Sequence, residues 1–107
     1  MPSANYMLIR QAILDKRNIS ATYKGHERQM SPHAIGMAKN GNEQALFYQY
    51  GGSSSSGLMP PGHPDNWRCI PIGGLQNVDV IGGAWQSGSN HSTDQKCVHQ
   101  IDVEVAY

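Results

Sequence analysis

At 107 residues the chain is long enough for one domain with a modest core and too short for two. Eight basic and eight acidic residues cancel, and the pI is near 7.0, so no global field draws the protein to nucleic acid and any such binding must come from a local cluster. Twelve glycines, six prolines and only 7% aromatics describe short strands and many turns rather than a helical bundle.

Ser3 is an N-cap, and Tyr6, Ile9, Ala12 and Ile13, helped by Leu8, recur at helical spacing opposite Arg10, Gln11, Asp15 and Lys16. This predicts one amphipathic helix of three to four turns that ends near Arg17-Asn18 and packs as a lid on a sheet. The organising stretch follows, from Ile19 to His33. Ile19, Ala21 and Tyr23 alternate with Ser20, Thr22 and Lys24, Lys24-Gly25-His26 turns the chain, and Glu27 to Met30 returns before Ser31-Pro32 stops the strand. Ala34 to Ala38 reads as a further strand. Lys39-Asn40-Gly41-Asn42 is the strongest turn, since Asn-Gly fits the positive φ angles of a two-residue hairpin loop. Gln44 to Tyr50 is the partner strand, central because Leu46, Tyr48 and Tyr50 on one face and Ala45, Phe47 and Gln49 on the other both carry bulk.

Gly51 to Gly57 is a flexible glycine-serine loop, extended without regular structure through Met59 to Asp65. Asn66 to Ile72 returns to strand, with Pro71 requiring an edge or a bulge. Gly73-Gly74 turns, Leu75 to Ile81 is another strand, and 82–93 is mostly glycine, serine and polar residues around Trp85. The alternation of Ile101, Val103 and Val105 with Asp102, Glu104 and Ala106 is a terminal strand that closes the sheet. The expected fold is therefore mainly β (α+β): a helix over 1–18, barrel strands over 19–81 interrupted by the loop at 51–65, and a loop and C-terminal strand over 82–107. Five or six short strands make a small, strongly bent sheet or barrel, whose closure removes exposed edges.

Cys69 and Cys97 form no C-x-x-C pair and no secreted framework, so they read as two reduced, half-buried small hydrophobes. The N-terminus has no basic segment leading into an apolar core, and no apolar run approaches the roughly 20 residues that span a bilayer, which points to a cytoplasmic protein without a membrane partner. Histidines 26, 33, 63, 91 and 99 show no zinc spacing, and Cys97-Val98-His99 offers two ligands where zinc takes three or four, so no metal or other cofactor is expected. Ser54 or Ser55 with His63 and Asp65 can be drawn as a hydrolytic triad, but a glycine tract lacks the rigidity that positions a nucleophile. The same loop has no lysine and no following helix, unlike a phosphate-binding P-loop. No catalytic residue is assigned.

Several pieces in order resemble the WYL domain family, and most of all its short, single-domain bacterial members that carry a Gly-Ser loop between a Y-Q strand and a W-R strand. The pieces are Ala12-Ile13, Tyr23, Gly25-His26-Glu27-Arg28, Ser31-Pro32-His33, Tyr48-Gln49, the loop Gly51 to Gly57, and Trp67-Arg68-Cys69-Ile70, together spanning about two thirds of the chain. The resemblance implies an SH3-like or Sm-like β-barrel. It also implies a ligand-sensing module of transcriptional regulation, usually attached to a DNA-binding helix-turn-helix and thought to bind nucleotides or nucleic acid through a basic and aromatic patch. Two features depart from the family. The naming Trp-Tyr-Leu triplet is absent, the corresponding stretch reading Gln44-Ala45-Leu46-Phe47-Tyr48, and Gly74 stands where the pattern calls for a second arginine, which removes half of a possible bidentate anion clamp.

The family-matched candidates for ligand binding are Tyr23, Arg28, His33, Tyr48 and Arg68. Two arginines among aromatic faces can pair phosphates and stack bases; the competing reading makes the tyrosines core residues and the arginines solvated or structural. The expected function is that of a non-enzymatic WYL-like module sensing a nucleotide or single-stranded nucleic acid, acting in trans. The alternatives are a protein-interaction or self-assembly module, with a partner protein or a second copy as its target, and more remotely a small metal-dependent enzyme.

Overall fold

The computed structural model describes residues 3–52, 66–83, 85 and 97–105. In chain order these form a helix, α1 (Ala4–Asp15), and six strands: β1 (Asn18–Tyr23), β2 (His26–Met37), β3 (Glu43–Gly52), β4 (Trp67–Pro71), β5 (Gln76–Ile81) and β6 (Gln100–Glu104). A single 3₁₀ turn, Ile72–Gly74, separates β4 from β5. The Gly-Ser loop from Ser53 onward, the proline segment to Asp65, His63 and His91 lie outside the described residues.

Ser3 caps α1 as expected, its hydroxyl accepting from the Tyr6 N–H at 3.2 Å while donating to Glu43 Oε1 at 2.6 Å, so one residue starts the helix and ties it to the first residue of β3. The buried stripe is Tyr6, Ile9, Ala12 and Ile13. The helix stops earlier than the composition suggests, at Asp15, because Lys16 turns left-handed (φ 50°) and the Lys16 and Arg17 N–H groups donate to the Ile13 and Ala12 carbonyls, a Schellman closure made without glycine.

The sheet is antiparallel in the order β4-β3-β2-β1-β5, and β6 also pairs with β2. Lys24 and Gly25, both at positive φ, make the two-residue β1–β2 turn between the paired residues Tyr23 and His26. The second hairpin uses Asn40-Gly41 differently from expectation. Only Gly41 takes a positive φ there, Gly41 N–H donates to the Ala38 carbonyl and Ala38 N–H to Asn42, which is the longer turn with a glycine bulge.

Two further differences matter, and the expectation for Pro71 holds. Ser31-Pro32 does not stop the strand: β2 runs on to Met37, because a register shift between Pro32 and Ala34 makes a bulge that accommodates proline's missing donor. Pro71 lies on β4, the edge strand where proline is tolerated. The terminal strand joins no two edges; it takes the second half of β2 (Ala34 to Met37), whose first half pairs with β1.

The expectation of two reduced thiols is overturned, since Cys69 and Cys97 form a disulfide with their Cα atoms 5.6 Å apart. The partners are 28 residues apart, and only the docking of the segment before β6 beside β3 and β4 brings them together.

One core holds the domain. Ile9, Ile13, Ile19, Met30, Ile35, Phe47, Ile70 and Ile72 are fully buried in a single cluster, with α1 contacting β1, β2, β5 and β6. The bulges bend the sheet around it into a small barrel-like α+β fold. Among the described residues no helix is long and apolar enough to cross a membrane.

Candidate ligand-binding site

Strand register determines which candidates meet. Directly opposed residues share a face, and alternate residues along a strand return to it. Ala21 opposes Arg28, Met30 opposes Gln49, and Phe47 opposes Arg68, so Tyr23, Arg28, Gln49 and Arg68 all lie on the inner face beyond Met30 and Phe47. Ser31 and Trp67 both oppose Tyr48, on the outer face. The five predicted residues thus fall into two groups.

The first group is cationic. Arg28 is buried, with 3% of its surface exposed, and its guanidinium carbon lies 5.2 Å from the centroid of the Tyr23 ring. Among the described residues its one side-chain hydrogen bond is a long one, Nη1 donating to Gln49 Oε1 at 3.4 Å, while Gln49 Nε2 donates to the Gly51 carbonyl. Nε of Arg28 has no hydrogen-bond partner among the described residues, and no carboxylate pairs with the group there. Burial first, and the neighbouring Arg68 charge second, push the Arg28 guanidinium below its ordinary value. It remains a cation at neutral pH, because arginine does not lose its proton in proteins. Half-buried Arg68 donates to the Trp67 carbonyl at 3.2 Å, and exposed Lys24 places Nζ 5.5 Å from the same Tyr23 ring. Two cations therefore flank one phenol ring, and the charge of Arg68 acts on the buried one of them, in a chain of zero net charge.

Lys24 and Gln49 were not among the predicted site residues. Lys24 follows Tyr23 in the tight turn and Gln49 belongs to the Y-Q strand, but nothing local in the sequence shows that either reaches the arginine. Gly74 lies against the ring. A Cβ added there would sit 2.8 Å from Tyr23 Cε1, so a larger residue at 74 would compete with Tyr23 for its place.

The second group is aromatic. His33 is the extra residue of the β2 bulge, since Pro32 opposes Phe47 and Ala34 opposes Leu46. Its ring is fully buried between Trp67, edge-on at 4.5 Å, and Trp85, tilted at 4.2 Å, and Trp67 in turn meets Tyr48 edge-on at 5.2 Å. Trp85 Nε1 donates to the Pro32 carbonyl at 3.3 Å, and Lys16 Nζ lies 5.5 Å from the Trp85 centroid. His33 and Tyr48 are both wholly excluded from solvent. This geometry packs them as structural members of an aromatic cluster, whereas Tyr23, Arg28 and Arg68 face the more open end of the inner face.

Among the described residues no three His, Cys, Asp or Glu side chains gather closely enough to hold a metal. No family model, curated protein sequence or solved structure matches the chain.

Proposed function

We propose that the protein is a non-enzymatic, WYL-like binding module that takes a phosphate-bearing ligand, a nucleotide or single-stranded nucleic acid, at Tyr23, Lys24, Arg28 and Arg68. The observation that carries this reading is Arg28. A guanidinium removed from water with no carboxylate beside it among the described residues is costly to bury, and an arriving anion would supply a counter-charge. Arg68 and Lys24 add positive potential on the more exposed side, and guanidinium groups pair phosphates with directional hydrogen bonds. Fluorescence anisotropy of labelled DNA and RNA oligomers and of a labelled nucleotide, at low and moderate salt, tests it. Binding that weakens with salt and disappears in Arg28→Ala/Arg68→Ala supports the reading; no binding, or binding indifferent to both substitutions, refutes it.

A second reading, as an interaction or self-assembly module, is favoured by β5. Among the described residues this strand pairs only with β1, and Val80 on it is 41% exposed. Light scattering that returns a strict monomer at high concentration, together with no captured partner, counts against it.

A further inference from the structure

We infer that the Cys69–Cys97 disulfide is a reducible latch on the C-terminal strand: a dithiol opens it, and the segment 97–105 then leaves β2 while the helix and the other five strands stay folded. The inference is independent of what the cationic site binds.

β6 is weakly held apart from this bond. Gln100, Ile101, Asp102 and Glu104 are exposed and Val103 is half-buried, so the strand itself buries little apolar surface. A bulge at Asp102 breaks its ladder to β2 in the middle. Asp102 accepts from Tyr6 Oη at 2.7 Å and from Arg10 Nε at 3.0 Å, but the ion pair is 35% and 40% exposed, a setting in which such pairs contribute little. Among the described residues the further anchors cluster toward the ends: Val98 and Val105 are buried, the Gln44 amide donates to the Cys97 carbonyl at 2.6 Å, His99 N–H donates to the Met37 carbonyl at 2.9 Å, and Val105 N–H donates to the His33 carbonyl at 2.7 Å, while Val103 packs partly against the core. An element with few buried contacts and a short ladder belongs to the low-stability end of a domain.

The bond is also placed for exchange. Cys69 is exposed on edge strand β4, whereas Cys97 is half-buried. A dithiol thiolate attacks the Cys69 sulfur, the Cys69–Cys97 bond breaks, and its electron pair leaves with Cys97 as thiolate. The Gln44 amide nitrogen, held 2.6 Å from the Cys97 carbonyl oxygen, lies 3.1 Å from the Cys69 sulfur and 3.7 Å from the Cys97 sulfur, so it offers a donor to either sulfur as the bond opens. The second thiol of the reductant then displaces Cys69, so the dithiol ends as a disulfide, having given up two electrons, and two protons end on the cysteines. Opening bares the β2 edge from Ala34 to Met37 and takes from the His33 carbonyl its Val105 donor.

Hydrogen–deuterium exchange of the whole protein with and without dithiothreitol, followed by thiol counting, tests the latch. Release of two thiols with at least tenfold faster exchange at His99 and Val105, and less than twofold change at Met30 and Phe47, is expected. The Cys69→Ser/Cys97→Ser variant should exchange like the reduced protein and ignore dithiothreitol; if it does not fold, the reduced wild-type measurement decides alone. Unchanged exchange at His99 and Val105, uniform loss of protection including Met30 and Phe47, or a bond that dithiothreitol leaves closed overturns the proposal.

Discussion

The Arg28 guanidinium lies 5.2 Å from the centre of the Tyr23 ring and faces no carboxylate among the described residues, a buried cation on which the charge of another arginine, Arg68, acts unfavourably. A group held for stability would be paired. Replacing an uncompensated buried ion by an apolar residue of similar length removes a desolvation cost, so Arg28→Met should leave stability unchanged or raise it by about 1 kcal/mol. Chemical denaturation of the two proteins checks this.

His33 should behave in the opposite way. It fills the space between Trp67 and Trp85 at zero exposure, so His33→Ala leaves a cavity in an aromatic cluster and should cost about 3 kcal/mol. Denaturation followed by tryptophan fluorescence checks it. A cost below about 0.5 kcal/mol, the range of an ordinary surface substitution, would mean that His33 is not part of the packing.

Placing arginine at position 74 should not build a clamp. The added Cβ would stand 2.8 Å from Tyr23 Cε1, so Gly74→Arg should displace the ring and destabilise the protein by about 1–2 kcal/mol, as overpacking does. Tyr23→Ala should relieve most of that cost, and a double-mutant cycle measures the coupling.

Tyr6 and Asp102 join the helix to β6, and their titrations are displaced in opposite directions. Burial, reinforced by the hydrogen bond to Asp102, pushes the Tyr6 phenol up to about 12. The Tyr6 hydroxyl, and then Arg10, hold the Asp102 carboxyl below its usual value. A raised folded-state value for Tyr6 means that its contribution is complete below pH 10 and is lost as pH climbs from 10 toward 12. A lowered value for Asp102 means a contribution present above its ordinary range near 3.8 and lost as pH falls below it. Asp102→Asn should flatten stability at both ends of a pH series and cost about 1 kcal/mol at neutral pH.

Short-range features of this fold were legible from the residues. Ser3, the 3.6-residue stripe from Tyr6 to Ile13, and Lys24-Gly25 each act through neighbours within one turn, and the structure has them as read. The run of β2 through Pro32 was not legible, because a bulge opposite Leu46 and Phe47 decides it and a strand's own sequence does not display its partner's register. The disulfide was hidden for the same reason at longer range, since Cys69 and Cys97 meet only after β4 pairs with β3 and β6 with β2. At the site, the alternation and register of β1 to β4 put Tyr23, Arg28 and Arg68 on one face. His33 looked equally available beside Pro32, yet the bulge turns it between two tryptophans, one of them 52 positions away, and no local pattern carries that information.

The most direct measurement is salt-dependent binding of a labelled single-stranded oligomer to the wild type and to Arg28→Met in parallel. An anion site at Arg28 requires the folded variant to lose at least tenfold in affinity, with a log–log salt slope shallower by about 0.7 for the one phosphate contact removed. Equal affinity and equal slope in the two proteins, with Arg28→Met folded, would contradict it.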